Sequence, residues 1–198
     1  MRILVCGGNG FIASHLANFL KRKKHFVRVA DVRQQSDGYL PLIVNEYVQC
    51  DLRKPQDAIN VSREIDWVFQ LAADMGGLGY LDTVHAKIMR NNALMNINLL
   101  DAAKITGVKR IFFSSSACVY PEYRQLASDS PSLKESDAIP AAPDLDYGWE
   151  KLSSEFLYKS YAKDYGMQVR IGRFHNIYGP NTEYDNGREK APAALCRK

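Results

Sequence analysis

Tyr147 and Lys151 stand four residues apart in Tyr147-Gly148-Trp149-Glu150-Lys151, and on a helix that spacing puts both on one face. A phenol with its ordinary pKa of about 10 is a poor base at neutral pH, but a neighbouring ammonium favours the phenolate and brings it toward working range. Ser116, in the string Ser114-Ser115-Ser116-Ala117-Cys118-Val119-Tyr120, can share the hydroxyl network. The same string carries Cys118 where its neighbours lead one to expect a threonine or an acid, and Gly187-Arg188-Glu189-Lys190 adds a further lysine. A thiol with a pKa of about 8.5 and a lysine lowered by burial can each exchange protons near neutrality, so both suit proton transfer at carbon. Taken singly, Cys118 also reads as a small buried hydrophobe and Lys190 as a solvated surface charge.

Such groups need a redox partner, and the start of the chain offers a place for one. Gly7-Gly8-Asn9-Gly10-Phe11-Ile12-Ala13 follows the apolar run Ile3–Cys6 and opens an amphipathic stretch. Gly7 and Gly10 permit a tight turn and close approach of a pyrophosphate at a helix N-terminus, while Ala13 is small enough for helix–strand packing. Asp31 ends the second apolar run. An acid there accepts hydrogen bonds from a ribose 2′-hydroxyl and repels a 2′-phosphate, which favours NAD over NADP, with Arg33 close enough to soften the preference. Asp51-Leu52, after the third run, is placed to border the adenine; a plain surface aspartate fits Asp51 equally. The positive nicotinamide ring of such a cofactor adds to the stabilisation of a Tyr147 phenolate.

The elements that hold these residues read as alternating strands and helices. Strands are expected at Ile3–Cys6, Phe26–Asp31, Glu46–Cys50, Trp67–Leu71, Arg110–Ser115 and Gln168–Gly172. Helices are expected near 10–22, 56–63, 83–105 and 147–165, with an irregular polar tail after about Phe174. Apolar strands alternating with helices imply an α/β fold: a Rossmann-like, doubly wound parallel sheet with ligands at the carboxyl ends of the strands. Residues 1–173 form the expected NAD-binding domain, and 174–198 the start of a substrate-binding lobe that is largely missing.

Composition narrows the field. With 46% hydrophobic and 24% charged residues, the 198-residue chain is ordinary for a globular domain. Its formal charge is +4, and the one basic run, Lys21-Arg22-Lys23-Lys24, suits a solvated helix end, so no nucleic-acid partner is expected. The apolar start Met1–Cys6 is too short for a signal peptide or membrane span, so no membrane partner is expected and the expected location is cytoplasmic. Cys6, Cys50, Cys118 and Cys196 lie far apart without a CxxC pair, so neither a metal site nor a disulfide is expected.

The strings together resemble the extended short-chain dehydrogenase/reductase superfamily and its NAD-dependent epimerase/dehydratase family. Within it they are most similar to the GDP-mannose 3,5-epimerase family. The matching segments are Gly10-Phe11-Ile12-Ala13-Ser14-His15, Leu71-Ala72-Ala73-Asp74-Met75-Gly76-Gly77, Ser115–Pro121, Ser132–Asp137, Gly172–Pro180 and Gly187–Ala194. The resemblance implies NAD as cofactor and a GDP-sugar as substrate. Hydride leaves C4 of the mannosyl ring while Tyr147 takes the hydroxyl proton. The 4-keto group acidifies the hydrogens on C3 and C5, which are exchanged, and the ketone is reduced again; GDP-mannose becomes GDP-L-galactose. The family assigns Cys118 and Lys190 to the exchange, and Tyr147, Lys151 and Ser116 to the oxidation. Phe11, Ile12, Leu71, Ala72 and Ala73 join Gly7, Gly10, Asp31, Asp51 and Leu52 as implied cofactor contacts. Gly76, Ser116, Ala117, Cys118, Asn176, Glu189, Lys190, Ala191 and Lys198 are the implied substrate contacts.

His175 is expected to pack or hydrogen-bond, and Met75, Met89, Met95, Trp67 and Trp149 to be structural. Family members are considerably longer, so slow turnover is expected of the 198-residue chain without further chain. Extended members often pair through two helices, which makes a homodimer through the segments after Thr83 and Tyr147 the expected assembly by fold analogy. Three rivals remain. A 4,6-dehydratase wants an acidic pair where Ala117-Cys118 stands, a simple C4-epimerase needs neither Cys118 nor Lys190, and a non-catalytic NAD-binding module can lose the Tyr147–Lys151 pair.

Overall fold

Four of the five residues of strand β1 (Arg2–Cys6) are buried, as a strand covered on both faces requires. The computed structural model describes residues 1–38, 40–126, 132–182, 184–185 and 191–197, leaving aside the side chains of Leu78 and Ala191. Around β1 lie β2 (Phe26–Asp31), β3 (Glu46–Gln49), β4 (Trp67–Gln70), β5 (Arg110–Ser116) and β6 (Gln168–Phe174). All pair in parallel in the order β3-β2-β1-β4-β5-β6, the doubly wound Rossmann order.

Helix α1 (Phe11–Arg22) covers one face. Its Ala13, Ala17 and Leu20, spaced three to four apart, pack on Ile3, Val5, Val27 and Val29. Helices α2 (Pro55–Ser62), α4 (Ala86–Thr106) and α5 (Asp146–Tyr165) share the other core, where Leu99, Leu100 and Tyr158 meet Leu4, Val68, Ile111 and Phe113. Each such aliphatic side chain contributes about 1.5–3 kcal/mol on burial, so the two cores hold the strand ends rigidly. Helices α4 and α5 both stop at glycines in the left-handed region, Gly107 (φ 74) and Gly166 (φ 67).

Two expectations are corrected. The helix expected over 83–105 is divided: a short α3 (Leu78–Leu81) precedes α4, which starts only at Ala86. The Thr83 hydroxyl donates to the Gly79 carbonyl at 3.0 Å, a local bond that competes with helix continuation. The tail after Phe174 is not wholly irregular, because α6 (Ala191–Arg197) forms there. Its three alanines favour helix, and Pro192 falls in the first turn, where no amide donor is required. No helix among the described residues is long and apolar enough to cross a membrane.

Candidate active site

The chain leaves β1 toward one face and β4 toward the other, and at that reversal a cavity of about 550 Å³ opens at the carboxyl ends of the strands. All the predicted cofactor positions line it: Gly7, Gly10, Phe11, Ile12, Asp31, Asp51, Leu52, Leu71, Ala72, Ala73, Tyr147 and Lys151.

One end is built from backbone. Gly7 has φ +75, and a Cβ there would lie 2.7 Å from the Ala72 Cα, so only glycine lets the loop cross β4 so closely. Its amide donates to the Ala30 carbonyl at 2.8 Å, and the Gly10 amide closes the turn on the Gly7 carbonyl at 2.8 Å. Gly10 begins α1 with no capping side chain and no acid follows in the first turn, which leaves a positive helix end bordering the cavity. Asp31 is buried; its Oδ2 accepts the Asn9 amide and its Oδ1 the Arg33 amide, both at 2.9 Å. The Arg33 Nε lies 3.6 Å from Asp31. These features fit a dinucleotide with free ribose hydroxyls.

Asp51 borders the cavity, but Arg53 grips its carboxylate with Nε at 2.8 Å and Nη2 at 2.7 Å. Those bonds hold the Asp51 carboxyl below its ordinary range. Arg53 itself, with Asn9, Lys87 and Asn91, also lines the cavity and was not singled out from the sequence. The available signal was polar residues on the core face of α4: Asn91 and Asn92 are buried and bond Asp74.

The other end is built from side chains. Lys151 is almost wholly buried, its Nζ donating to the Ser114 carbonyl at 2.9 Å and lying 5.6 Å from the centre of the Tyr147 ring. Burial pulls the Lys151 ammonium down, opposed first by the nearby Glu150 and then by Cys118. Burial pushes the Tyr147 phenol well up, Cys118 and Glu150 push it the same way, and only a hydrogen bond with Ser116 lowers it. The expectation of a phenol brought into working range by the lysine is thus not met by the lysine itself, because its ammonium is turned to the Ser114 carbonyl and burial dominates.

Ser116 ends β5, and its Oγ accepts the Cys118 amide at 3.2 Å, capping the tight turn Ala117–Val119 that carries Cys118. A side chain at Gly148 would collide with the Cys118 carbonyl and approach Pro143 Cβ at 2.8 Å, so glycine seats the first turn of α5 against the cysteine's turn. Cys118 and Met75 pack against the buried cluster of Leu81, Ile88 and Tyr147. Gly76 lines the cavity and Ala117 is half-buried, whereas Asn176 is exposed. Glu189, Lys190 and Lys198 lie outside the described residues, and only the backbone of Ala191 is placed, at the start of α6.

His175 borders the cavity with its ring 6.4 Å from that of Tyr120. Met75 and Met95 line the cavity as well as packing, because the core of α4 continues into its wall. Trp149 is 42% exposed rather than structural filling, since it faces outward on α5 between the buried Tyr147 and Glu150. Among the described residues no group of three His, Cys, Asp or Glu could hold a metal ion.

A Rossmann sheet with an uncapped glycine turn, an acid after β2 and a tyrosine–lysine helix defines an NAD-dependent short-chain dehydrogenase/reductase type of protein. Residues 3–198 match the NAD dependent epimerase/dehydratase family, and the chain belongs to it, with NAD as its cofactor. It is 48% identical over 198 residues to the GDP-mannose 3,5-epimerase of Arabidopsis thaliana and equally to GDP-mannose 3,5-epimerase 1 of Oryza sativa subsp. japonica. These matches cover all of this chain and 52% of each relative, so the chain spans about half their length. A solved UDP-glucose 4-epimerase from Thermus thermophilus in complex with NAD superposes with a TM-score of 0.83 at 25% identity, covering 100% of this chain and 61% of that one.

Proposed function

We propose that the protein is a nucleotide-sugar isomerase that inverts C3 and C5 of GDP-mannose to give GDP-L-galactose. The carrying observation is that one cavity joins the dinucleotide cradle to Ser116, Tyr147 and Lys151, while Cys118 packs against the buried cluster that contains Tyr147. When bound, NAD+ supplies the hydride acceptor and donor and a positive ring charge within the cavity. Tyr147 takes the C4 hydroxyl proton as hydride leaves that carbon; the Ser116 hydroxyl hydrogen-bonds the phenolate, and the Lys151 ammonium, bonded to the Ser114 carbonyl, adds a positive charge 5.6 Å from the ring centre. The resulting ketone acidifies the hydrogens on C3 and C5. Cys118 and Lys190 exchange those hydrogens between the two ring faces, and Tyr147 returns its proton when the ketone is reduced, so no net oxidation remains. Gly76, Ala117, Asn176, Glu189, Ala191 and Lys198 contact the sugar or its diphosphate, and residues 174–198 begin the substrate-binding lobe.

Ala117-Cys118 offers no acidic pair of the kind a 4,6-dehydratase wants, which favours epimerisation. Ile97, Ile105 and Phe156, exposed on α4 and α5, support a homodimer through those helices. The test is incubation with GDP-mannose in deuterated water and NMR of the sugar. Deuterium is expected at C3 and C5, and its loss is expected in Cys118→Ala with NAD binding kept. Exchange unchanged in that variant contradicts the 3,5-epimerase reading.

A further inference from the structure

Strand β4 ends at Gln70, and among the described residues neither of its ladders runs past that point. The backbone of the loop that follows must therefore find other partners. Helix α4 supplies them. The Asn92 side chain brackets Asp74 as a strand would: its Oδ1 accepts the Asp74 amide at 2.6 Å and its Nδ2 donates to the Asp74 carbonyl at 3.2 Å. Asn91 holds the Asp74 side chain, donating from Nδ2 to Oδ2 at 2.9 Å. The other carboxylate oxygen, Oδ1, accepts the Tyr80 hydroxyl of α3 at 2.7 Å. The proposed chemistry uses none of these groups.

The direction of these bonds is fixed from the far end. Arg53 Nη1 donates to Asn91 Oδ1 at 3.4 Å, while the same guanidinium grips Asp51. A guanidinium has no acceptor, so the Asn91 oxygen faces Arg53 and its amide nitrogen faces Asp74. Residue 74 must then accept, and a carboxylate accepts from Asn91 and Tyr80 at once.

What this brace carries is the pair of residues that follow. The Gly77 carbonyl accepts the Tyr80 and Leu81 amides at 3.0 and 3.2 Å, which fixes the loop at its other end. Between the two anchors, Met75 packs with Cys118 against the cluster that contains Tyr147, and Gly76 is buried. A Cβ on Gly76 would lie 2.9 Å from Tyr80 Cβ, so its backbone rests against the side chain that Asp74 holds.

We propose that Asp74 is a positioning residue: bound to Asn91 and Tyr80, it sets the Gly76 backbone as a wall of the sugar subsite at the Tyr147 end of the cavity. It acts through Gly76 and transfers no proton. The proposal rests on reading Gly76 as a sugar contact.

The experiment reverses the Asn91–Asp74 bond in the NAD-saturated chain at about pH 8, where carboxylates are ionised. Asn91→Asp sets two carboxylates face to face. Asn91→Asp combined with Asp74→Asn restores a donor and an acceptor in the opposite sense, with the acceptor for Arg53 kept. The readouts are the Gly76 amide resonance and the Kd values of GDP-mannose and of GDP, which lacks the sugar. Asn91→Asp is expected to shift the Gly76 amide and weaken GDP-mannose binding about tenfold, with GDP binding unchanged. The double variant is expected to return both toward native values. A Gly76 amide unmoved in Asn91→Asp, no recovery in the double variant, or equal loss of GDP-mannose and GDP binding overturns the proposal. Should Asn91→Asp not fold, Tyr80→Phe, which removes the other bond to Asp74, is read in the same way, and an unmoved Gly76 amide overturns the proposal. A native chain that binds no GDP-mannose strikes the proposed function, while the Gly76 amide still decides whether Asp74 sets that backbone.

Discussion

The two ends of the cavity are made of different material. The cradle end is backbone: a glycine turn pressed on Ala72, an uncapped helix start, and one acid fixed by two main-chain amides. The proton-handling end is buried side chains, with Lys151, Glu150, Ser154, Asn96 and Gln70 meeting between two helices and the sheet. Backbone geometry tolerates many side chains but no added Cβ. A side-chain cluster tolerates shape changes poorly and charge changes worse, because each unpaired group stays out of water.

The sharpest separation of the two ends comes from Tyr147→Phe. It is expected to lower nicotinamide reduction on adding GDP-mannose by about 10²–10⁴-fold, with NAD binding unchanged by calorimetry. Equal loss of binding would merge the ends and break the comparison.

Next comes the clamp behind the proton-handling end. Glu155 accepts two bonds from Arg173 at 2.8 Å and the Ser115 hydroxyl at 2.6 Å, tying α5 to β5 and β6. Glu155→Gln is expected to cost about 3–5 kcal/mol in denaturant unfolding, since it strands the guanidinium. The pH dependence follows the same clamp. Burial raises the Glu155 carboxyl, but the bonds from Arg173 and Ser115 outweigh it and hold the group below its ordinary value. A depressed acid contributes its stability in full above the unfolded pKa of about 4.3 and loses it as pH falls through the folded value. The native chain should therefore lose stability on acidification more steeply than Glu155→Gln, a difference visible in thermal melts across that range.

At the cradle, Gly7→Val is expected to cost about 1–3 kcal/mol in denaturant unfolding through strain at its positive φ, and to weaken NAD binding as read by calorimetry. The smallest effect is on cofactor choice: Asp31→Ser removes the acceptor of the ribose hydroxyl and should narrow the preference for NAD over NADP by about tenfold in Kd.

The cradle was legible in the sequence because its determinants are local. Gly7 to Ala13 sit between a strand and a helix, and Asp31 ends the next strand, so position along the chain nearly defines position in space. The proton-handling end was legible only in part. Tyr147 and Lys151 share a helix face by spacing, but the Asn96 that anchors Glu150 is 54 residues away, and Gln70 is 26 from Asn96. No periodicity reports such a bond. It needs the packing of α4 on α5, which also set the direction of the phenol's shift against the simple expectation. The helix break before Ala86 escaped for the opposite reason: the local pattern favours helix throughout, and the Thr83 hydroxyl bond to the Gly79 carbonyl that sits there has no signature in the periodicity.

The central claim is that both ends serve one ligand, and titration of NAD into the isotopically labelled chain, followed by backbone amide NMR, tests it directly. The expected result is that the amides of Gly7 to Ile12 and those of Tyr147 to Lys151 shift together, with one dissociation constant. Shifts confined to the glycine turn, with Tyr147 to Lys151 unmoved at saturation, would contradict the account.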